Sequence, residues 1–350
     1  MSAAEFLFVG IPGRDLDAAT AALLTRFEPG GVILFQRNIR SAEQLLALVG
    51  ELRRVVPRAL LAIDGEGGRV DRLKEVVGPA PAASWLARRP PTLALAAGRW
   101  MAKALRLFDL DMDLAPVVDV DRGERGNALD GRYHGPRTSL VTPRARAFLR
   151  GLHSGGVGGC IKHFPGLGAA AADTHQGLAR IDLEAAELEL DLRPFASLMS
   201  LAGAVMAAHA IYPAYDVKER PASLSSPVLQ GLLRDRLGFS GLTLSDDLEM
   251  KALAEWGDLP ERAEAAFAAG CDVVLVSEHL DALPEIAARL EKRRLAERRR
   301  QARERLEIYR QRVRTLRWAG ESVSLLHEPR RKEQLEIVRQ GLAALQPRES

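Results

Sequence analysis

The sequence predicts an α/β fold, a single closed (β/α)8 TIM-type barrel with an Arg-rich helical extension at its C-terminal end. Three observations predict it. Eight short apolar runs rich in β-branched residues are each followed by a helical pattern. The runs are continuously apolar, as parallel strands covered on their outer face must be. Residues able to do chemistry collect at the C-terminal ends of the runs, where a barrel of this kind keeps its site. The 350 residues suffice for such a barrel, which needs about 250 or more, and 47% hydrophobic residues supply its core. An open doubly wound sheet is the alternative, but no GxGxxG follows the first run.

In order, the strand-like runs occupy 6–9, 31–35, 60–64, 112–118, 158–163, 204–209, 242–246 and 272–277. The segments between them carry helix signals. Ser41 with Gln44 forms a capping box before LLALV, and Thr142-Pro143 and Ser226-Pro227 each place a cap before proline at the first helical position. Gly270 closes the helix PERAEAAFAA, and Asp281 precedes LPEIAARL. The barrel is assigned to 1–290 and the extension to 291–350.

The net charge is only +3, but the pI of about 9.0 reflects arginines gathered late in the chain, in KRRLAERRRQARERLEIYRQRVRTLR at 292–317. A nucleic-acid arm is one reading of such a run. The run has no glycine, no aromatic interleaving beyond Tyr309, and Glu/Arg spacings that suit helical pairs, so a solvated or packing helix with no nucleic-acid partner is expected. Whether it caps the barrel, makes a dimer contact or docks a partner is open, as is the choice between monomer and homodimer. Cys160 and Cys271 lie in apolar runs and read as buried and reduced, with no zinc or disulfide spacing. Neither a leader nor a run approaching the roughly 18 apolar residues of a membrane span is visible. The expected location is the cytoplasm, with no membrane partner.

Five strand ends carry polar side chains. The third ends in Asp64 and continues through GEGGRVDR to Arg69 and Arg72; the fourth ends near Asp119, with Arg132 along its loop. Lys162-His163 end the fifth, His209 the sixth and Asp246-Asp247 the seventh. No comparable cluster is expected at the N-terminal ends. After Pro165 stops the fifth strand, a small-residue loop at 166–172 leads to Asp173-Thr174-His175, a carboxylate two positions before an imidazole. That pair suits proton transfer; a helix N-terminus capped by Asp173 is the plainer reading.

Several carboxylates, two arginines, a lysine and histidines without a serine elbow point away from acyl transfer. Two classes remain. One is glycosyl transfer, with one carboxylate at the anomeric centre and a second group protonating the leaving oxygen. The other is metal-assisted hydrolysis using His163, His175, His209 and an aspartate of the seventh strand, although neither of the first two strands ends in a histidine.

The motifs GVILFQRNI (31–39), AIDGEGGRVDR (62–72), LDGRYHG (129–135), IKHFPGLG with DTH (161–175), VMAAHAIYPAYD (205–216) and GFSGLTLSDDLEM (238–250) stand in one order along the chain. Together they resemble glycoside hydrolase family 3, in its single-domain bacterial β-N-acetylglucosaminidase branch. The resemblance implies a retaining, metal-independent exo-hydrolase of terminal β-linked N-acetylglucosamine that needs no cofactor. Its substrate would be a small carbohydrate, the disaccharide-peptides of cell-wall recycling. It also implies that Asp246 is the nucleophile, that His175 with Asp173 is the acid/base, and that Asp64, Arg72, Arg132, Lys162 and His163 bind the sugar. An imidazole with an ordinary pKa of about 6.5 suits that shuttle near neutral pH. β-Glucosidase or phosphorylase activity, or a barrel that binds muropeptide without turnover, are the rival expectations. The sequence departs from the family at Gly65, Leu167, Thr174 and Arg180.

Overall fold

Side chains alternate along a strand, so an apolar run sends every second residue inward and the others outward. In the computed structural model, which describes residues 2–124, 126–170, 177–319 and 328–346, all eight expected runs contribute strands. They are β1 (Leu7–Val9), β2 (Gly31–Leu34), β3 (Leu60–Ile63), β4 (Met112–Asp113), β5 (Gly158–Gly159 and Ile161–Phe164), β6 (Ala204–Ala207), β7 (Leu242–Asp247) and β8 (Val273–Val276). Each pairs in parallel with its sequence neighbours, and β8 pairs with β1. β5 breaks at Cys160, whose N–H lies 3.1 Å from the carbonyls of both Asp113 and Ala115. Its first piece pairs with β4 and its second with β6, which closes the circuit.

Phe8, Ile33, Ala62, Met112, Met206 and Leu244 fill the barrel, while Leu7, Val9, Val32, Leu61 and Val205 pack outward beneath the helices. Both cysteines are buried and free. No described helix is long and apolar enough to cross a membrane.

Several helix signals hold. Ser41 Oγ accepts from the Gln44 N–H at 3.2 Å at the start of Ala42–Val55, though the Gln44 side chain returns to Arg40 N and not to Ser41. Gly270, at φ 139°, ends Leu259–Ala269. Three expectations do not hold. The helix expected to begin at Pro143 spans Thr138–Ser154, because Leu140 and Val141 already donate to the Arg137 carbonyl. Pro143 therefore sits inside it, and the Thr142 hydroxyl is buried without a partner among the described residues. Asp281 lies in the short turn Leu280–Ala282 and makes no cap bond to Leu283–Leu290. At Pro227–Arg236 the proline is first as expected, but Ser225 and not Ser226 supplies the capping oxygen.

The basic run forms Ala296–Ala319, which closes the bottom of the barrel. Leu306, Tyr309 and Val313 join the interior cluster, and Tyr309 Oη donates to the Gly159 carbonyl at 3.1 Å. A Cβ at Gly158 would lie 2.7 Å from that hydroxyl, so the closure requires glycine there. The N-terminal strand ends do carry a charged cluster, contrary to expectation, because these arginines need buried counter-charges. Asp272 Oδ2 accepts from Arg234 at 2.7 Å and the Thr243 N–H at 2.9 Å, and Oδ1 from Arg298 at 2.6 Å and Arg305 at 3.1 Å. Asp111 binds Arg53 at 2.6 Å and also Arg317. Asp272→Asn should therefore cost about 3–5 kcal/mol in denaturant unfolding, the range for removing one member of a buried ionic cluster, with KM unchanged.

Candidate active site

The C-terminal strand ends converge on one pocket, and the hairpin after β3 builds its charged wall. Gly65–Gly67 pairs antiparallel with Val70–Asp71, turning the chain back so that Asp64, Glu66 and Arg72 all line the pocket. The tip needs glycine: Gly67 has φ 84°, and a Cβ there would lie 2.3 Å from the Pro81 carbonyl. Asp71 is spent on structure, accepting from the N–H groups of Leu73 and Ala80.

Lys162 reaches from β5 into this wall, its Nζ 2.6 Å from Asp64 Oδ1 and 2.6 Å from Glu66 Oε1. Arg132 closes on the same Glu66 from the other side through two bonds, at 2.7 and 2.8 Å. Arg72 stands 3.6 Å from Asp64. The side chains of Lys162 and Glu66 are only 3% and 4% exposed, so neither charge is tolerable without the other. Burial alone would raise the Glu66 carboxyl, but Arg132 and Lys162 override it and hold the group well below the usual carboxylate range. Burial would likewise lower the Lys162 ammonium, and Asp64 and Glu66 instead push it up.

His163, next on β5, is held by Asp119. Its Nδ1 lies 2.8 Å from Asp119 Oδ2, and Asp119 also accepts from the backbone N–H groups of His163 and Leu167. Nε2 faces Arg132 Nη2 at 3.4 Å. A guanidinium can only donate, so Nε2 accepts and Nδ1 carries the proton to Asp119. Both nitrogens of His209 are also engaged, Nδ1 by Ser223 Oγ at 2.7 Å and Nε2 by the Asp247 carbonyl at 2.9 Å. Two of the three histidines in the metal alternative thus have both ring nitrogens committed.

Asp246 ends β7 and faces this wall across the pocket. Burial would raise its carboxyl, but the Asp247 N–H, 2.8 Å from Oδ1, and the Lys162 ammonium lower it and favour the ionised form. Its neighbour behaves oppositely: burial pushes Asp247 up to about 7. Two adjacent carboxyls with pKa values driven apart mark a site where one is kept as an anion. Ile33, Phe35, Leu114, Met206 and Met250 supply the apolar lining.

Six residues singled out from the sequence therefore come together: Asp64, Arg72, Arg132, Lys162, His163 and Asp246. Asp173 and His175, with Thr174, lie outside the described residues. On the near side of that segment Asn127 Nδ2 donates to the Ala170 carbonyl at 3.1 Å, and on the far side Ala179–Arg180 pairs with Ala210–Ile211. Arg180 points outward to Asp182 and Glu219, whereas Leu167 lines the pocket. Sequence reasoning missed Glu66, on which two cations close; its place two residues after Asp64 in a glycine-rich turn was the available signal. Asp119 was noted as a strand end but not as the partner of His163.

Residues 4–315 match the model of the glycosyl hydrolase family 3 N terminal domain. A beta-hexosaminidase of Thioalkalivibrio sulfidiphilus is 40% identical over 294 residues, covering 81% of this chain and 82% of that protein. Native NagZ from Neisseria gonorrhoeae has a TM-score of 0.79 at 30% identity, with 98% of each chain covered. A glycoside hydrolase family 3 beta-N-acetylglucosaminidase from Paenibacillus sp. str. FPU-7 has a TM-score of 0.85 at 31% identity, covering 97% of this chain and 68% of that one.

Proposed function

Because the chain belongs to glycosyl hydrolase family 3 and is a hydrolase of its beta-hexosaminidase type, we propose that it removes a terminal, non-reducing β-linked N-acetylglucosamine with retention. The observation that carries the reading is a carboxyl group, Asp246, lining one pocket together with a wall of paired charges.

Asp246 attacks the anomeric carbon as the bond to the leaving oxygen breaks, giving a covalent glycosyl-enzyme. His175, oriented by Asp173, gives its proton to that oxygen, then takes one from the water that opens the intermediate. Asp64 accepts from sugar hydroxyls, while Arg72, Arg132 and Lys162 donate to them through charge-assisted bonds. His163, whose Nε2 already faces Arg132, offers that wall an imidazole held in one tautomer by Asp119. The natural substrate on this reading is a peptidoglycan-derived muropeptide, met in the cytoplasm.

Chromogenic β-N-acetylglucosaminide and the matching β-glucoside test the reading side by side. The N-acetyl sugar should be turned over selectively, chelator should leave the rate unchanged, and phosphate should neither accelerate it nor yield a sugar phosphate. His175→Ala should lose about 10²–10⁴-fold with poor leaving groups and far less with good ones, since only a poor leaving group needs the proton. Equal loss with both would remove His175 from the acid role.

A further inference from the structure

Asp113, at the end of β4, is fully buried behind the charged wall and none of the steps above uses it. Its Oδ1 accepts from the Gly65 N–H at 2.8 Å, and its Oδ2 has no hydrogen-bond partner among the described residues. Gly65 lies between Asp64 and Glu66, the two carboxylates that Lys162 bridges. A Cβ at Gly65 would stand 3.1 and 3.2 Å from the two Asp113 oxygens and 2.8 Å from Met101 Sδ. The missing side chain at 65 and the carboxyl at 113 are thus fitted to each other.

We propose that Asp113 is a positioning residue of the sugar site, which grips the turn at Gly65 and so sets where Glu66 meets Lys162 and Arg132. The carboxyl does this as a neutral acid. The charged and titratable groups around it are Asp64 and Glu66 from the turn, Lys162 and Cys160 from β5, and Tyr309 from the bottom helix. Lys162, the one cation of that set, is already committed to Asp64 and Glu66. Burial, followed by the nearby carboxylates, raises Asp113 well above the usual range despite the Gly65 N–H and Lys162. An amide oxygen accepts from a backbone N–H as well as a neutral carboxyl does, so asparagine should replace it and alanine should not.

The sign of the pH effect follows. A carboxyl whose folded pKa is raised contributes stability that is complete below its unfolded value of about 3.9 and is lost as pH rises toward the folded value. Asp113→Asn removes that loss. The test compares wild type, Asp113→Asn, Asp113→Ala and Asp113→Ser for KM, kcat and Tm between pH 5 and 8, with Tm repeated in N-acetylglucosamine. Asp113→Asn should keep KM within about twofold, and its Tm relative to wild type should rise with pH; Asp113→Ala or Asp113→Ser should raise KM about tenfold with kcat changed by less than about threefold.

A KM unchanged in both Ala and Ser variants, or Asn as damaging as Ala, overturns the inference. So does a Tm for Asp113→Asn that falls below wild type as pH rises, since the carboxyl would then be an ionised partner of Lys162. If Ala does not fold, Ser and Asn decide. The inference rests on the sugar-site reading: a wild type that neither turns over the N-acetyl sugar nor gains Tm from it overturns both, whereas an active wild type with indifferent variants overturns this one alone.

Discussion

Asp246→Ala should leave the fold intact and reduce kcat on the chromogenic N-acetylglucosaminide by about 10⁴-fold or more, the scale of losing a group that forms a bond to the reacting atom. Among the described residues its Oδ1 accepts from the Asp247 N–H next to it, so truncation frees a local donor at a pocket surface. Unfolding in denaturant should therefore change little, and sugar binding, followed by thermal shift, should persist. Asp246→Ala with small external nucleophiles such as azide gives the sharper readout. Recovery of turnover there would follow from replacing the missing carboxylate by an anion of similar size. A variant retaining more than about a tenth of wild-type kcat would remove Asp246 from the nucleophile role.

Glu66→Gln should damage stability and binding together. The substitution leaves Lys162 and Arg132 buried beside one remaining carboxylate, Asp64, and loses the two charge-assisted bonds to the guanidinium. Breaking a buried ionic cluster by removing one member costs about 3–5 kcal/mol. The pH dependence has a definite sign. Glu66 is depressed in the folded state, so its contribution is present above the usual glutamate range and lost as pH falls through the folded value. Lys162 is raised, so its contribution is present below the usual lysine range and lost as pH rises through its folded value. The stability gap between wild type and Glu66→Gln should then be flat across neutral pH and narrow in acid. KM should rise at least about tenfold, because the donors that meet the sugar are no longer held in place. Urea titrations at several pH values, with KM at neutral pH, check both; a Glu66→Gln protein as stable as wild type would show that the two cations are satisfied without it.

The eight strands, their order and the end of the barrel that carries the chemistry were legible because each depends on a local pattern. A short, continuously apolar run is visible within a handful of residues, and the strand that follows it in sequence is its neighbour in space. Asp64, Lys162, His163 and Asp246 could be picked out for the same reason, as polar residues at the point where an apolar run stops. Arg72 and Arg132 lie further along the loops after the third and fourth strands, where only motif resemblance gave them a role, and both line the pocket. Helix starts were less legible: Ser41 caps as its spacing suggests, but Pro143 is compatible with a helix already under way.

What the tertiary structure alone decided is which distant side chains share a charge. Lys162 and Asp64 are 98 residues apart, Arg132 and Glu66 are 66 apart, and His163 and Asp119 are 44 apart. The Arg-rich helix, ambiguous as a sequence, became the floor of the barrel because Asp272 and Asp111, at the N-terminal strand ends, receive its guanidiniums. Local patterns record whether a residue faces in or out, whereas the protonation state and partner of a buried charge depend on what lies within a few ångströms across the barrel, since the energy of an unpaired charge there is set by those neighbours.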